Sequence, residues 1–230
     1  MFHCKLSSVA TALFGLAALL GFSSSLAKAG LVFGPDARTQ FEDLQSNFGG
    51  EFIDFESLAT GTNLTSQLSA QGVSFASNIS TGGAPFGPFH VEVSGAFFGS
   101  VGNTIVGSPC GGCVDDGRVG YEIVFSEPQR WAGLLRIWNT ATLTHFFNAE
   151  GGLLDQHANS VNTEFVGYTA DGEDPETDWV SRIQMDTIAP NNSRQVGYSD
   201  DLFFDTVIPE PASLYLLALG GIALVRRRRQ

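Results

Sequence analysis

The chain has 230 residues, with 24 acidic side chains against 12 basic ones and a net charge of −12 at pH 7. Its hydrophobic fraction of 43% is typical of a globular protein. Six of the basic residues lie within the first 29 or the last 23 positions, so residues 30–208 have 23 acidic residues, six Arg and no Lys. A net charge of −17 over that segment excludes nucleic acid as a partner and disfavours anionic membranes.

The first 29 residues are typical of a signal peptide. A weakly basic start precedes an apolar stretch from Val9 to Phe22, and small residues end the segment at Ala27-Lys28-Ala29. An A-x-A sequence of this kind is a cleavage site, so we expect the mature chain to begin near Gly30. The alternative is a cytoplasmic protein with a buried N-terminal helix.

Residues 30–207 are predicted to form one all-β domain, a two-sheet sandwich or jelly roll. Short runs rich in Val, Ile and aromatic residues alternate with turn-forming clusters, and only Arg38 to Phe48 has helical character. We expect that helix to pack over an end of the sandwich. The predicted strands are Glu51 to Phe55, Val73 to Ala76, Phe89 to Val93, Gly120 to Phe125, Trp131 to Trp138, Thr163 to Tyr168, Trp179 to Asp186 and Tyr198 to Phe204.

Cys110 and Cys113, which flank two glycines, are the only cysteines after the signal segment. This spacing has three interpretations: a redox pair, half of a zinc site or a small structural disulfide. A redox pair normally begins a helix within a βαβ unit, and zinc needs two further ligands. In an exported protein we favour a disulfide that clamps a loop.

An acidic segment from Asp171 to Asp178 resembles a calcium loop superficially but lacks the ligand spacing of an EF-hand. Its Gly172 and Pro175 predict a solvated turn between two strands.

No motif of a known catalytic class is present: the chain has no G-x-S-x-G elbow, no H-E-x-x-H and no phosphate loop. Pairs of Asp and Glu are uninformative about glycoside hydrolysis in so acidic a chain. We therefore predict a protein that is not an enzyme. Five aromatic residues could contact sugar rings if exposed, or else fill the core: Trp131, Trp138, Tyr168, Trp179 and Tyr198.

The C-terminal segment, residues 208–230, has three parts in order: Pro209-Glu210-Pro211, an apolar run from Ala212 to Val225, and Arg226 to Arg229. A helix over the apolar run would cover only about 21 Å of a hydrocarbon core roughly 30 Å thick. It could still span a locally thinned membrane, with the arginines on the cytoplasmic side. We predict a transmembrane segment at 212–225.

These three parts resemble the PEP-CTERM sorting signal of Gram-negative bacteria. The resemblance implies that exosortase, a membrane-embedded cysteine transpeptidase, reads Pro209, Glu210 and Pro211. It also implies that the helix stays in the inner membrane only in transit, before the protein passes to the cell surface or an exopolysaccharide matrix. An ordinary C-terminal membrane anchor is the alternative.

A second resemblance involves Phe52 to Thr62 with Gln71 to Phe75, and a closing segment from Val196 to Asp205. These are similar to the first and last segments of jelly-roll domains that resemble carbohydrate-binding modules, in which the first and last strands lie side by side. Such pairing would gather several carboxylates, and Ca²⁺ binds six to eight oxygens. The candidate Ca²⁺ ligands are Asp54, Glu56, Asp200, Asp201 and Asp205; alternatively, these are solvated charges at turns and edges.

Together these features predict a secreted, exosortase-sorted protein of the cell surface or extracellular matrix. We expect a non-catalytic β-sandwich associated with exopolysaccharide. A secreted hydrolase acting on polysaccharide and a purely structural matrix component are the alternatives.

Overall fold

A computed structural model describes residues 30–78, 91–95, 102–107, 119–137, 142–158, 161, 163–187 and 198–206. The predicted signal peptide, the C-terminal segment, Trp138 and the pair Cys110 and Cys113 lie outside these residues. Within them, no helix is both long and apolar enough to cross a membrane.

The described residues form thirteen strands and one α-helix, together with a 3₁₀ turn at Ser69–Gln71. The helix, α1, covers Ala37–Phe48. The strands are β1 (Gly30–Phe33), β2 (Glu51–Ile53), β3 (Asn63–Leu64), β4 (Val73–Asn78), β5 (Val91–Ser94), β6 (Thr104–Gly107), β7 (Val119–Gln129), β8 (Trp131–Ile137), β9 (Thr142–Phe147), β10 (Leu153–Ala158), β11 (Thr163–Thr169), β12 (Val180–Thr187) and β13 (Tyr198–Phe204).

The strands are arranged in two antiparallel sheets, which confirms the predicted all-β sandwich. An eight-stranded sheet has the order β1-β11-β8-β13-β6-β5-β3, and β2 also pairs with β13. A five-stranded sheet has the order β10-β9-β12-β7-β4. All eight predicted strands are present. The strand predicted to reach Phe55 ends at Ile53, because Phe55 takes the left-handed conformation with φ of 59°.

The main core lies between the two sheets, where alternate residues of each strand point inward. In β7, for example, Tyr121, Ile123 and Phe125 are buried, whereas Glu122 and Val124 between them are only half-buried. Inward residues of the facing eight-stranded sheet complete this core, among them Leu134, Val166, Leu202 and Phe204.

A second core lies on the outer face of the eight-stranded sheet, beneath α1. Ala37 and Phe41, one helical turn apart, pack against three aromatic residues of the sheet: Trp131, Phe165 and Phe203. The predicted position of this helix, over an end of the sandwich, is therefore wrong. The aromatic side chains on this face would be exposed to water without the helix, and the apolar side of the helix buries them.

Phe41 fits over a flat area of this sheet that is formed by two glycines. Gly133 and Gly167 are cross-strand partners on β8 and β11. A Cβ atom at Gly167 would lie against the Phe41 ring and 3.0 Å from the carbonyl oxygen of Ala132. The absence of side chains at both positions is what lets α1 approach the sheet closely.

We predict that Gly167→Ala destabilises the protein by about 1–3 kcal/mol, because the fully buried Phe41 ring cannot yield without disturbing the second core. Urea unfolding measures the change as a lower midpoint. Gly95→Ala is the matched control, since a Cβ there meets nothing within 4 Å, and its effect should stay within about 0.5 kcal/mol. Equal midpoints for the two variants would contradict the proposed packing role.

Candidate functional site

The pairing of β2 with β13, implied by the jelly-roll resemblance, is confirmed. Leu202 faces Ile53 and Phe203 faces Phe52 in antiparallel register. This pairing places the residues just after β2 beside the middle of β13. As a result, the predicted calcium ligands Asp54 and Glu56 lie near two others, Asp200 and Asp201.

A β-bulge in β13 directs the carboxylates of Asp200 and Asp201. The register of β13 on β8 shifts between Asp200 and Phe203, and Asp201 takes a left-handed φ of 49°. Both aspartates are buried, although two adjacent carboxylates would normally be solvated.

A cation within the chain compensates part of this buried charge. The Arg38 guanidinium, from the first turn of α1, forms an ion pair with Asp201 through Nη1, and its Nε donates to Glu42 at 2.9 Å. The Asp201 backbone N–H donates to Asp200 Oδ1 at 2.8 Å. Arg38 was not among the predicted site residues, because the helix was expected elsewhere on the sandwich.

Asp54 and Glu56 lie near the same cluster, but their carboxylates accept hydrogen bonds from backbone N–H groups. Asp54 Oδ1 accepts from the Glu56 backbone N–H at 3.1 Å, and Glu56 Oε1 accepts from the Asn103 backbone N–H at 2.6 Å. Asn103 Nδ2 in turn donates to the carbonyl of Leu58 at 2.8 Å. These bonds tie the loop after β2 to the residues before β6.

The fifth predicted ligand, Asp205, lies apart from the other four. Its backbone N–H donates to the Trp131 carbonyl at 3.0 Å. Burial raises the pKa of its carboxyl group, and Arg130 opposes that rise. Among the described residues, no three His, Cys, Asp or Glu side chains are placed to hold a metal ion. Calcium binding therefore stays a prediction.

Asp200 is the most perturbed carboxylate of the cluster. Burial raises the pKa of its side chain from 3.8 to about 7, and the charges of Asp201 and Glu56 act in the same direction. The Asp201 backbone N–H and Arg38 oppose the rise without cancelling it. Between the two pKa values, the folded protein thus keeps a proton on Asp200 that the unfolded chain releases.

We predict that Asp200→Asn stabilises the protein at alkaline pH. In the wild type, ionised Asp200 destabilises the folded state. This effect grows as the pH rises from the pKa of the unfolded chain to the pKa of the folded protein, and it is complete above the latter. Asn keeps the oxygen that accepts from Asp201. We expect a gain on the order of 2 kcal/mol at about pH 8.5 that shrinks to zero near pH 4.

Urea midpoints across this pH range measure the effect, with Asp43→Asn on the exposed side of α1 as the control. A gain that is independent of pH would mean that the Asp200 charge is not its cause.

We also predict that calcium binding at this cluster competes with Arg38. Removing the guanidinium in Arg38→Gln leaves Asp201 without its cation. Millimolar Ca²⁺ should then raise the melting temperature of the variant by about 3–6 °C, and that of the wild type by less. Mg²⁺ at equal concentration is the control. Unchanged melting of both proteins in Ca²⁺ would count against a calcium site here.

The acidic segment Asp171–Asp178 is a solvated turn between β11 and β12, as predicted. Asp174 Oδ1 accepts from the Glu176 backbone N–H at 2.9 Å. The Trp179 indole donates to the Gly172 carbonyl at 3.0 Å and holds the turn against the sandwich.

A different surface, on the outer side of the five-stranded sheet, was not anticipated. We call it the open face: the outward side chains of β9, β12 and β7 with their neighbours on β10 and β4. In the part of the chain that the structure describes, no helix packs on it, in contrast to the outer side of the other sheet. Its central residues are Glu122, His145, Phe147, Gln156, Arg182 and Gln184.

Aromatic and polar groups alternate in fixed positions on the open face. His145 and Phe147 are stacked, with ring centroids 6.0 Å apart. The Arg182 guanidinium lies 4.3 Å from the centroid of Phe147 and donates to Glu122 Oε1 at 3.2 Å. Register aligns Gln156, His145 and Gln184 in one row across three strands. Of the five aromatic residues considered from sequence, Trp131 is buried in the second core.

Residues 207–229 match the PEP-CTERM protein-sorting motif. The chain therefore carries a C-terminal sorting signal, which marks it for export and for membrane-anchored transit before exosortase processing. No curated protein sequence is significantly similar to the chain.

Several solved structures are similar to the chain. A Stig cyclase, Fisc, from Fischerella sp. TAU in complex with (3Z)-3-(1-methyl-2-pyrrolidinylidene)-3H-indole is 12% identical, with a TM-score of 0.43, covering 67% of this chain and 98% of that one. An apo cyclase from Fischerella sp. is 13% identical, with a TM-score of 0.40 and coverages of 76% and 97%. A mutant family 29 carbohydrate-binding module is 13% identical, with a TM-score of 0.32 and coverages of 60% and 99%. None of these similarities assigns an activity to the chain.

Proposed function

We propose that this sorted protein is a non-catalytic component of the cell surface or extracellular matrix that binds polysaccharide on the open face. The observation that carries the proposal is the cluster formed by Phe147, Arg182 and Glu122, with His145 stacked beside the aromatic ring. These side chains stand on central strands of a sheet, which hold them more rigidly than loops would.

The chemistry of these groups suits sugar rings. A sugar ring has apolar C–H faces, which pack on an aromatic ring, and hydroxyl groups around its edge. Gln156 and Gln184 offer both donors and acceptors, and the ion pair of Arg182 and Glu122 offers one of each type in a fixed plane. A shallow sheet surface of this kind can bind a chain of sugars without enclosing it.

The charge of the protein favours a neutral polysaccharide over an acidic one. Residues 30–208 have a net charge of −17, so a polyanion is repelled at long range. The one cation at the centre of the open face, among the described residues, is Arg182, and Glu122 already neutralises it. We therefore infer a ligand such as a neutral glucan.

We predict that Phe147→Ala weakens binding to a soluble neutral glucan by about tenfold or more, because it removes both the stacking surface and the support of Arg182. Affinity electrophoresis of the purified full-length protein measures the loss. Phe48→Ala is the matched control, since this half-exposed phenylalanine lies on α1, which covers the opposite sheet, and its loss should leave binding unchanged.

The same glucan samples, assayed for released reducing sugar, test the hydrolase alternative. Binding without product supports the proposal, whereas sugar release that a single carboxylate substitution abolishes would replace it with an enzyme. A wild-type protein that binds neither neutral glucan nor a polyuronate would leave the purely structural role as the better explanation.

A further inference from the structure

The start of β1 and the end of β13 lie at the same end of the sandwich. In the eight-stranded sheet, Gly30 pairs with Thr169, and Thr169 pairs with Trp131. The backbone N–H of Asp205, the residue after β13, donates to the carbonyl of Trp131 at 3.0 Å. Three strand spacings of about 4.8 Å therefore separate Gly30 from Asp205, a distance of about 14 Å.

Both positions adjoin a segment that directs the chain to the membrane. The matched sorting motif begins at Val207, two residues after Asp205. The predicted signal peptide ends at Ala29, directly before Gly30. While the sorting signal anchors the chain, this end of the sandwich is therefore held next to the membrane surface.

Two turns complete this end of the sandwich. Arg130 is the single residue between β7 and β8, and its carbonyl accepts from the Ala170 backbone N–H at 2.8 Å. The acidic turn of residues 171–178 follows Ala170 directly, and the Trp179 indole donates to its Gly172 carbonyl at 3.0 Å. The Arg130 guanidinium lies 5.7 Å from the centroid of the Trp179 ring. We call this region the tethered end: Asp205 and Thr206 after β13, Arg130, Trp179 and the turn of residues 171–178.

Aromatic and charged side chains surround the point where the sorting signal leaves. Trp179 is half-buried beside the exposed Arg130, and the acidic turn contributes five carboxylates. Phe48, at the end of α1, is 46% exposed. It is close to the same point, because a Cβ atom on the next residue, Gly49, would lie 3.9 Å from Thr206 Oγ1. Aromatic rings beside arginine are typical of protein surfaces in the headgroup region of a membrane.

Charge distinguishes between the kinds of lipid that this surface fits. The net charge of −17 over residues 30–208, and the five carboxylates of the turn, are repelled by an anionic leaflet. A zwitterionic ethanolamine headgroup instead has an ammonium group for the carboxylates and a phosphate for the Arg130 guanidinium. We propose that the tethered end contacts the headgroups of a zwitterionic membrane while the sorting signal is attached.

Contact at the tethered end leaves the open face accessible. Strand β7 ends and β12 begins at this end, where Val180 pairs with Gln129. The strands of the open face therefore rise from the membrane, and that face is presented sideways to polymers outside the cell. Membrane contact does not require glucan binding on the open face, so each can fail without the other.

The absence of lysine from residues 30–208 makes the contact directly measurable. Arg130→Lys introduces one side-chain amine at the tethered end and keeps the charge. The full-length protein is reconstituted in vesicles of phosphatidylcholine and phosphatidylethanolamine, and a short amine-reactive cross-linker joins the amine to nearby ethanolamine headgroups. We expect mass spectrometry to find lipid on the peptide that contains position 130. Peptide mapping separates this product from those of Lys5, Lys28 and the N-terminal amine.

Val161→Lys is the matched control, because it places the same amine at a 51% exposed position between β10 and β11. This position is at the opposite end of the sandwich, where β11 begins, and seven residues of strand cover about 23 Å. We expect several-fold less lipid at position 161 than at position 130. Equal labelling of the two positions, or more at position 161, would overturn the proposed orientation.

Replacing phosphatidylcholine by phosphatidylglycerol, at constant phosphatidylethanolamine, tests the headgroup charge. Repulsion should lower the labelling at position 130, and added salt should restore it, because charges more than about 8 Å apart are screened at physiological ionic strength. Labelling that stays constant or rises with phosphatidylglycerol would contradict the preference for zwitterionic lipid. The absence of lipid from position 130 in both kinds of vesicle would overturn the contact itself.

Discussion

Strand β13 contributes to both cores of this sandwich and holds the buried aspartates, so the arrangement of the rest of the structure depends on its pairing. It pairs with β8 along one edge, and along the other edge it pairs first with β6 and then with β2. Because its side chains alternate between the two faces of the sheet, Leu202 and Phe204 enter the main core while Phe203 contacts α1. Its bulge is the one place where this alternation is interrupted, and the buried pair Asp200 and Asp201 lies there.

The two sheets use their outer faces differently, and this asymmetry follows from their composition. The eight-stranded sheet presents aromatic residues and glycines outward, which only a packed helix can cover. The five-stranded sheet presents Gln184, Arg182 and Glu122 outward, which are stable in water, and Arg182 packs over its outward Phe147. The same helix that closes the first face brings Arg38 to the acidic cluster. Hydrophobic packing and charge compensation on that side therefore depend on one element.

Strand positions and the sandwich class follow from local sequence, because strands such as β7 alternate apolar and polar residues in the ordinary way. The strands that were not predicted include β9, where the pattern is irregular: the polar Thr144 and the apolar Phe146 both point into the interior, whereas Phe147 points outward. The inward Thr144 and the outward Phe147 serve features that no local pattern encodes, namely the buried hydrogen bond from Arg136 to Thr144 and the open face. The same applies to Arg136, whose burial is set by a register that arises only when the sheets have formed.

The pairing that the jelly-roll resemblance implied was correct, but it did not determine what the carboxylates do once together. Alternation of side chains shows which face of a strand a charged residue lies on. Its ion-pair partner, however, depends on which element packs against that strand. Asp54 and Glu56 lie near β13 as expected. The partner of Asp201 is Arg38, on a helix that was predicted to lie on a different surface. Tertiary packing, rather than local helix propensity, determines which cation pairs with Asp201.

The position of β13 also links folding of the domain to its sorting signal. The strand ends at Phe204, and the matched sorting motif begins at Val207. Five residue steps separate Phe204 from Pro209, which an extended chain covers in no more than about 18 Å. Since β13 is an interior strand of its sheet, the sandwich is complete only when the chain up to Phe204 is free of the membrane. A folded domain, with its large negative charge, must therefore stay close to the membrane surface for as long as the signal remains attached.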